Sequence, residues 1–247
     1  MNDRQRLEDL GLHALVEHFD EISGADWLPW LLEREEHERQ RRSLERRRNS
    51  ARLAHYKPLA DYDWEWPERL DRKLVEELFT LRFVEQALNV VLVGPNGIGK
   101  TMLVKNLCSS CLDAGHTVRF TTASEMLNQL AAEDSASGLE RRLRRLCRPK
   151  ILCIDEVGYL SYGPRHADLL FEVVSRRYAL NRPVIITTNK PFGEWGETFP
   201  NATSVVTLVD RLVHRSEIVV VAGKSFRLKE SKEQSEARRK AREAINP

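Results

Sequence analysis

Residues 94–101, Gly94-Pro95-Asn96-Gly97-Ile98-Gly99-Lys100-Thr101, constrain this chain more than any other segment. They join the apolar run Val90-Val91-Leu92-Val93 to a helical pattern at Met102, Leu103 and Leu107, and they fit G-x-x-x-x-G-K-[ST]. In such a loop the glycines let backbone N–H groups turn inward around a triphosphate, and the following helix presents the positive end of its dipole. The lysine reaches the β and γ phosphates and the hydroxyl serves a Mg²⁺ ion. Gly94, Pro95, Asn96, Gly97, Ile98, Gly99, Lys100, Thr101 and Met102 are therefore the expected nucleotide-binding residues, with ATP and Mg²⁺ as the expected ligands and Thr101 on the metal. The strand that such a loop needs is one of five β-branched runs: Asn89–Val93, Thr117–Thr121, Ile151–Ile154, Pro183–Thr187 and Ile218–Val221. Their alternation with helical patterns predicts an α/β fold, a parallel sheet with helices on both faces.

A second constellation lies about fifty residues on. The run Ile151-Leu152-Cys153-Ile154 ends in Asp155-Glu156. At the carboxyl end of a strand, Asp155 is placed to hold the Mg²⁺ shell and Glu156 to orient and deprotonate an attacking water. A kinase acting on a bound metabolite needs no water-activating carboxylate there, so the pair points to NTP hydrolysis. A third run, Val184-Ile185-Ile186-Thr187-Thr188, ends in Asn189, whose amide can address the γ-phosphate or the lytic water.

At 247 residues the chain is long enough for one core domain and an appendage, and can bury an adequate core without disulfides. No apolar run approaches a membrane span and Met1–Gln5 begins no signal segment, so a cytoplasmic protein without a membrane partner is expected. Residues 1–66 read as a helical N-terminal domain and linker. Leu7, Leu10, Leu15 and Phe19 suit one short amphipathic helix, a longer one runs from Trp27 to about Ala54, and 55–67, with Tyr56, Pro58, Tyr62, Trp64, Trp66 and Pro67, has no period. Residues 67–228 form the catalytic domain and 229–247 a charged tail.

With 39 Lys+Arg against 37 Asp+Glu the chain is nearly neutral, but its charges are not evenly placed. Arg39, Arg41, Arg42, Arg46, Arg47 and Arg48 face Glu45 alone, and Arg141, Arg142, Arg144, Arg145, Arg148 and Lys150 form a block with no carboxylate. Two such blocks predict a polyanionic partner bound through phosphates, with little base specificity. Arg39, Arg42, Arg46, Arg141, Arg142, Arg144 and Arg145 are the expected contacts. Cys108 and Cys111 have redox spacing but fall on one helix face, where packing is expected, and the seven histidines lack ligand spacing. Trp64 and Trp66 either clasp a nucleotide base or pack. Tyr159 and Tyr162 flank the loop after Glu156 without a defined role.

The combination of Gly94–Thr101, Ile151–Glu156 and Ile185–Asn189 resembles an AAA+ ATPase, with Asn189 in the sensor-1 position. Asp155–Leu160, Leu170–Tyr178, Thr188–Trp195 and Asp210-Arg211-Leu212 resemble the IstB family, helper ATPases of insertion-sequence transposition close to the DnaC helicase loaders. The resemblance covers about residues 3–229. It implies a five-stranded parallel AAA+ sheet, a small all-α N-terminal domain, no sizeable C-terminal lid domain, and an oligomer in which Arg211 reaches the neighbouring subunit's γ-phosphate. Arg215 one turn further on is the competing choice for that finger, and Arg227 a candidate second sensor. It also implies that the helix carrying Arg141–Arg145 faces DNA, and that the partners are double-stranded DNA, bound largely without regard to sequence, and a transposase. The alternative is a DnaC-like replicative helicase loader acting on single-stranded DNA.

Overall fold

β-Branched runs that are apolar on both faces can satisfy their backbone only side by side in a buried parallel sheet. The structure, a computed structural model describing residues 2–159, 163–199 and 202–245, contains that sheet. The chain divides into two compact units, 1–49 and 50–247.

The first unit holds helices α1 (Asp3–Asp9), α2 (His13–Glu17) and α3 (Phe19–Ile22) and most of α4 (Trp27–Ala51). Leu7, Leu10, Leu28 and Leu32 form its core. Asn2 caps α1 through the Gln5 N–H at 2.9 Å. Arg6 clamps Glu36 of α4 with two bonds, 2.7 and 2.9 Å long, which raises the arginine's pKa and lowers the carboxyl's. Where one short helix was expected, the chain turns at Gly11 and again at His18 and makes three. The arginine block of α4 is also less bare than a count within 39–48 suggests. Helical neighbours three and four residues back bring in Glu35 and Glu38, so Arg39 meets Glu35 at 3.6 Å while Arg41 and Arg42 share Glu38 at 2.8 and 2.6 Å. Arg41 and Arg42 hold the Glu38 carboxyl down at about 2.

The second unit begins before the sheet. Residues 55–67, which the sequence reads as a linker, fall within this second compact unit, with a 3-10 turn at Leu59–Asp61. Then follow α5 (Arg72–Leu78), capped by Asp71, α6 (Arg82–Glu85), β1 (Asn89–Val93), α7 (Lys100–Asp113), β2 (Val118–Thr122), α8 (Ala123–Ala131) and α9 (Ala136–Cys147). β3 (Ile151–Val157), α10 (Pro164–Ala179), β4 (Val184–Thr188), α11 (Trp195–Thr198), α12 (Ala202–Val213), β5 (Ser216–Val220) and α13 (Phe226–Ile245) complete it. All neighbouring strands pair in parallel, in the order β2-β3-β4-β1-β5. One face, with Val91, Leu152, Ile154 and Ile186, is buried by α8, α9, α10 and α12. On the other, Leu92 and Val219 meet Val75 and Leu78 of α5 and Leu103, Val104 and Leu107 of α7. Of the site residues expected from the sequence, Lys100, Asp155, Glu156 and Asn189 lie at or just beyond the carboxyl ends of β1, β3 and β4, where an open α/β sheet places its crevice.

Candidate nucleotide site

The loop after β1 is held by its surroundings as well as by its own glycines. Its first N–H, of Gly94, donates to Thr188 O at the end of β4 (3.1 Å), and a Cβ on Gly94 would fall 2.0 Å from Val221 O. Gly99, at φ +106°, caps α7, and a Cβ there would meet the Tyr62 ring at 2.7 Å. Tyr62 thus carries the segment 55–67 onto the loop. Its hydroxyl is buried without a partner among the described residues, and burial raises its pKa to about 12. From the other side the start of α13 closes in, the Phe226 N–H donating to Gly97 O at 2.9 Å.

Lys100 is 3% exposed. Its ammonium donates to Gly94 O (2.6 Å) and Pro95 O (2.8 Å) and lies 3.2 Å from Tyr159 Oη. Burial, with Arg227 adding to it, lowers its pKa to about 8. Tyr159 thus acquires a contact that the sequence did not indicate. Tyr162, with Leu160 and Ser161, lies outside the described residues. The cleft beside the loop holds about 200 Å³ and is walled by Lys57, Tyr62, Trp66, Tyr159, Phe226 and Arg227. Lys57 and Glu230 pair at 2.7 Å between its two walls. Trp66 donates to Lys224 O at 2.8 Å and lines the cleft, whereas Trp64 packs edge-on to Tyr62 at 4.9 Å, under Arg72.

Thr101 Oγ1 lies 3.2 and 3.1 Å from the two carboxylate oxygens of Asp155, which is 3% exposed. A hydroxyl beside an ionisable carboxyl at the head of a phosphate loop is the donor set that suits Mg²⁺. Glu156 follows with φ +62°, because β3 carries one more residue than β4 opposite it: the register runs Ile154↔Ile186, then Val157↔Thr188. Its N–H donates to Thr187 Oγ1 at 2.9 Å, and Thr187 in turn donates to Asp155. Asn189 follows β4 with its Oδ1 buried and unpartnered among the described residues, and a Cβ on Gly158 would lie 3.6 Å from that oxygen. Behind Asn189, the fully buried Trp195 packs between Phe192 and Phe199 and donates to Lys190 O at 3.3 Å.

The structure therefore brings Lys100, Thr101, Asp155, Glu156 and Asn189 to one end of the sheet, and leaves Arg211 out of that group. Arg211 lies in the last turn of α12, stacked on Phe171 of α10 at 4.9 Å, and the next carbonyl, of Leu212, accepts from Asn89 at the opposite end of β1. Arg215 sits over Tyr178 and donates to Asn181, while Arg227 lines the cleft of its own chain. Arg141, Arg144 and Arg145 are exposed on α9 and Arg148 just past its end, whereas the half-buried Arg142 is tied to Glu133 (2.5 Å) and Gln129. Arg176 joins Glu140 of α9 to α10 at 2.8 Å. The fully buried Arg177, which no sequence pattern marks, donates to the carbonyls of Leu146, Cys147, Pro149, Lys150 and Pro183. Cys108 and Cys111 are buried free thiols, and burial pushes Cys111 up.

Fold and site together define a P-loop AAA+ domain. The chain belongs to the family described as IstB-like ATP binding protein, whose model matches residues 7–234. A protein of insertion sequence IS5376 from Geobacillus stearothermophilus, whose name describes it as ATP-binding, is 38% identical over 215 residues, 87% of this chain and 85% of its own. Its counterpart in IS21 of Pseudomonas aeruginosa is 36% identical over 93% of this chain and 88% of its own. Among solved structures, AMPPCP-bound DnaA from Aquifex aeolicus (TM-score 0.58, covering 75% of this chain and 56% of that one) and DnaI (0.56; 69% and 92%) share the fold, each at 17% identity.

Proposed function

We propose that this protein is a Mg²⁺-dependent ATPase subunit that assembles with further copies on duplex DNA, remodels the duplex and delivers it as target to the transposase of an insertion sequence. The observation that carries the reading is the convergence of Lys100, Thr101–Asp155, Glu156 and the unpartnered Asn189 Oδ1 at one end of the sheet, with Lys100 and Thr101 lining the cleft there. Lys100 exchanges its two backbone carbonyls for the β and γ phosphates. Thr101 and Asp155 would hold Mg²⁺, which would supply neutralisation of the phosphate charge. Glu156 takes the proton of the attacking water, and Asn189 Oδ1 accepts that water's other hydrogen bond. Arg211 of a second copy stabilises charge on the transferring phosphoryl group.

The exposed arginines of α9 (Arg141, Arg144 and Arg145) and those of α4 (Arg39, Arg42 and Arg46) are the DNA contacts in this reading. Surface pairs such as Arg42–Glu38 are screened by water and salt, so a phosphate displaces the carboxylate readily. Among the described residues no helix is long and apolar enough to cross a membrane. The protein works in this reading in the cytoplasm, beside its DNA.

The test is Glu156→Gln. Nucleotide and duplex binding persist, phosphate release falls at least about 10²-fold, and the oligomer stays on DNA. Wild-type turnover in that variant sinks the catalytic assignment. A preference of the ATP-loaded wild type for single-stranded over duplex oligonucleotides in fluorescence anisotropy turns the reading to a helicase loader.

A further inference from the structure

The extra residue in β3 leaves the N–H of Glu156 without a ladder partner, since the parallel register passes from Ile154↔Ile186 to Val157↔Thr188. A freed N–H in a sheet interior costs about 1–3 kcal/mol unless something accepts it. What accepts it is a side chain: Thr187 Oγ1, 2.9 Å away on a residue that is 0% exposed. A hydroxyl has one proton to give, and Thr187 gives it to Asp155 Oδ1. One buried side chain thus accepts from the backbone of Glu156 and donates to the carboxyl of Asp155. Asp155 Oδ2 is left to Thr101, at 3.1 Å. The left-handed backbone of Glu156, at φ +62°, is a conformation that a non-glycine residue holds only when its surroundings impose it.

Resting on the ATPase reading above, we propose that Thr187 is the positioning residue of this site. Its hydroxyl orients the Asp155 carboxylate for the metal. Through the Glu156 N–H it also holds the bulge that aims the Glu156 carboxylate at the water. A threonine in a β-strand needs no such explanation by propensity, and valine would fill the same volume, so the hydroxyl is the informative part.

The test compares Thr187→Val, which keeps the shape and removes the hydroxyl, with Thr187→Ser, which keeps the hydroxyl and removes a methyl. Binding of a fluorescent ATP analogue is titrated with and without Mg²⁺, and phosphate release is measured alongside. In Thr187→Val, affinity without Mg²⁺ stays at the wild-type value. The Mg²⁺ concentration for half-maximal enhancement rises about 10-fold, and kcat falls about 10- to 100-fold with KM little changed, as removal of a group orienting a metal ligand does. Thr187→Ser stays close to wild type in all three. If Thr187→Val matches wild type, or if Thr187→Ser is as impaired as Thr187→Val, the proposal is overturned. Should Thr187→Val lose nucleotide binding even without Mg²⁺, Thr187→Cys, with a weaker donor of similar size, carries the same comparison against Thr187→Ser. A wild type that binds Mg²⁺-nucleotide but hydrolyses none counts against the ATPase reading. The binding comparison then still decides the role of Thr187.

Discussion

Lys100 shows how one residue changes its electrostatic surroundings with ligation. Enclosed by the loop carbonyls and Tyr159 it titrates at about 8, because burial disfavours the ammonium more than Asp155 and Glu156 restore it. A bound triphosphate supplies the missing negative charge and returns the pKa toward or above its ordinary 10.5. The free protein has then lost a proton above pH 8 that the complex keeps, so binding must take one up, and affinity falls as pH rises. The dissociation constant of an ATP analogue should be level up to about pH 8 and then rise, approaching tenfold per pH unit by pH 9.5. In Lys100→Arg, whose charge does not titrate in this range, any remaining affinity should be independent of pH. A flat wild-type curve over pH 7.5–9.5 contradicts the placement of Lys100 on the phosphates.

Among the elements, α9 is held at its carboxyl end by hydrogen bonds from α10 and the turn after it. Its apolar stripe (Leu139, Leu143, Leu146, Cys147) packs on the core, but the carbonyls at its carboxyl end and in the turn to β3 look inward. Arg177 of α10 satisfies them, with bonds of 2.9 Å to Lys150 O and 3.1 Å to Pro149 O, and adds one of 2.8 Å to Pro183 O at the head of β4. Burial brings its pKa down to about 10, so it remains charged at neutral pH. Arg177→Met fills much of the volume but removes the donor to Lys150 O and Pro149 O, while Cys147 O keeps Arg182 and Pro183 O keeps the Leu152 N–H. The expected loss is about 1–3 kcal/mol, read as a lower midpoint in urea, with DNA affinity reduced more than nucleotide affinity because α9 bears Arg141, Arg144 and Arg145. Unchanged stability in Arg177→Met refutes this account of how α9 is held.

At the scale of the whole molecule, Arg211 stands apart from the site that Lys100, Thr101, Asp155, Glu156 and Asn189 form at the carboxyl end of the sheet. Arg211 does not line the cleft of its own chain, and its neighbour Leu212 is tied to Asn89, the first residue of β1. The phosphate loop begins after Val93, about 13 Å further along that strand. In the proposed reading, an arginine so placed serves the γ-phosphate of another copy. Lys100→Ala and Arg211→Ala proteins should each be inactive alone, the latter by about 10³-fold. Their mixture should regain hydrolysis, because the intact loop of one meets the intact Arg211 of the other. Full activity of Arg211→Ala alone rejects it as the finger, and Arg215→Ala then becomes the variant to examine.

Much of this molecule is readable in sequence because the signals are local. The Gly94–Thr101 loop, the carboxylates ending β3, the amide after β4 and the parallel α/β architecture all follow from spacing and periodicity within a few residues, whose physics involves their own backbone. Other features join residues far apart in the chain, and only tertiary structure decides them. Residues 55–67 read as a linker because they lack a period, yet Tyr62 and Trp66 make them a wall of the cleft. The bulge at Glu156, its acceptor Thr187, and the hold of Arg177 on α9 leave no pattern in the sequence. Threonine in a strand and arginine in a helix are unremarkable by propensity. They become decisive only when folding removes water from a polar group thirty residues away and leaves one side chain able to replace it.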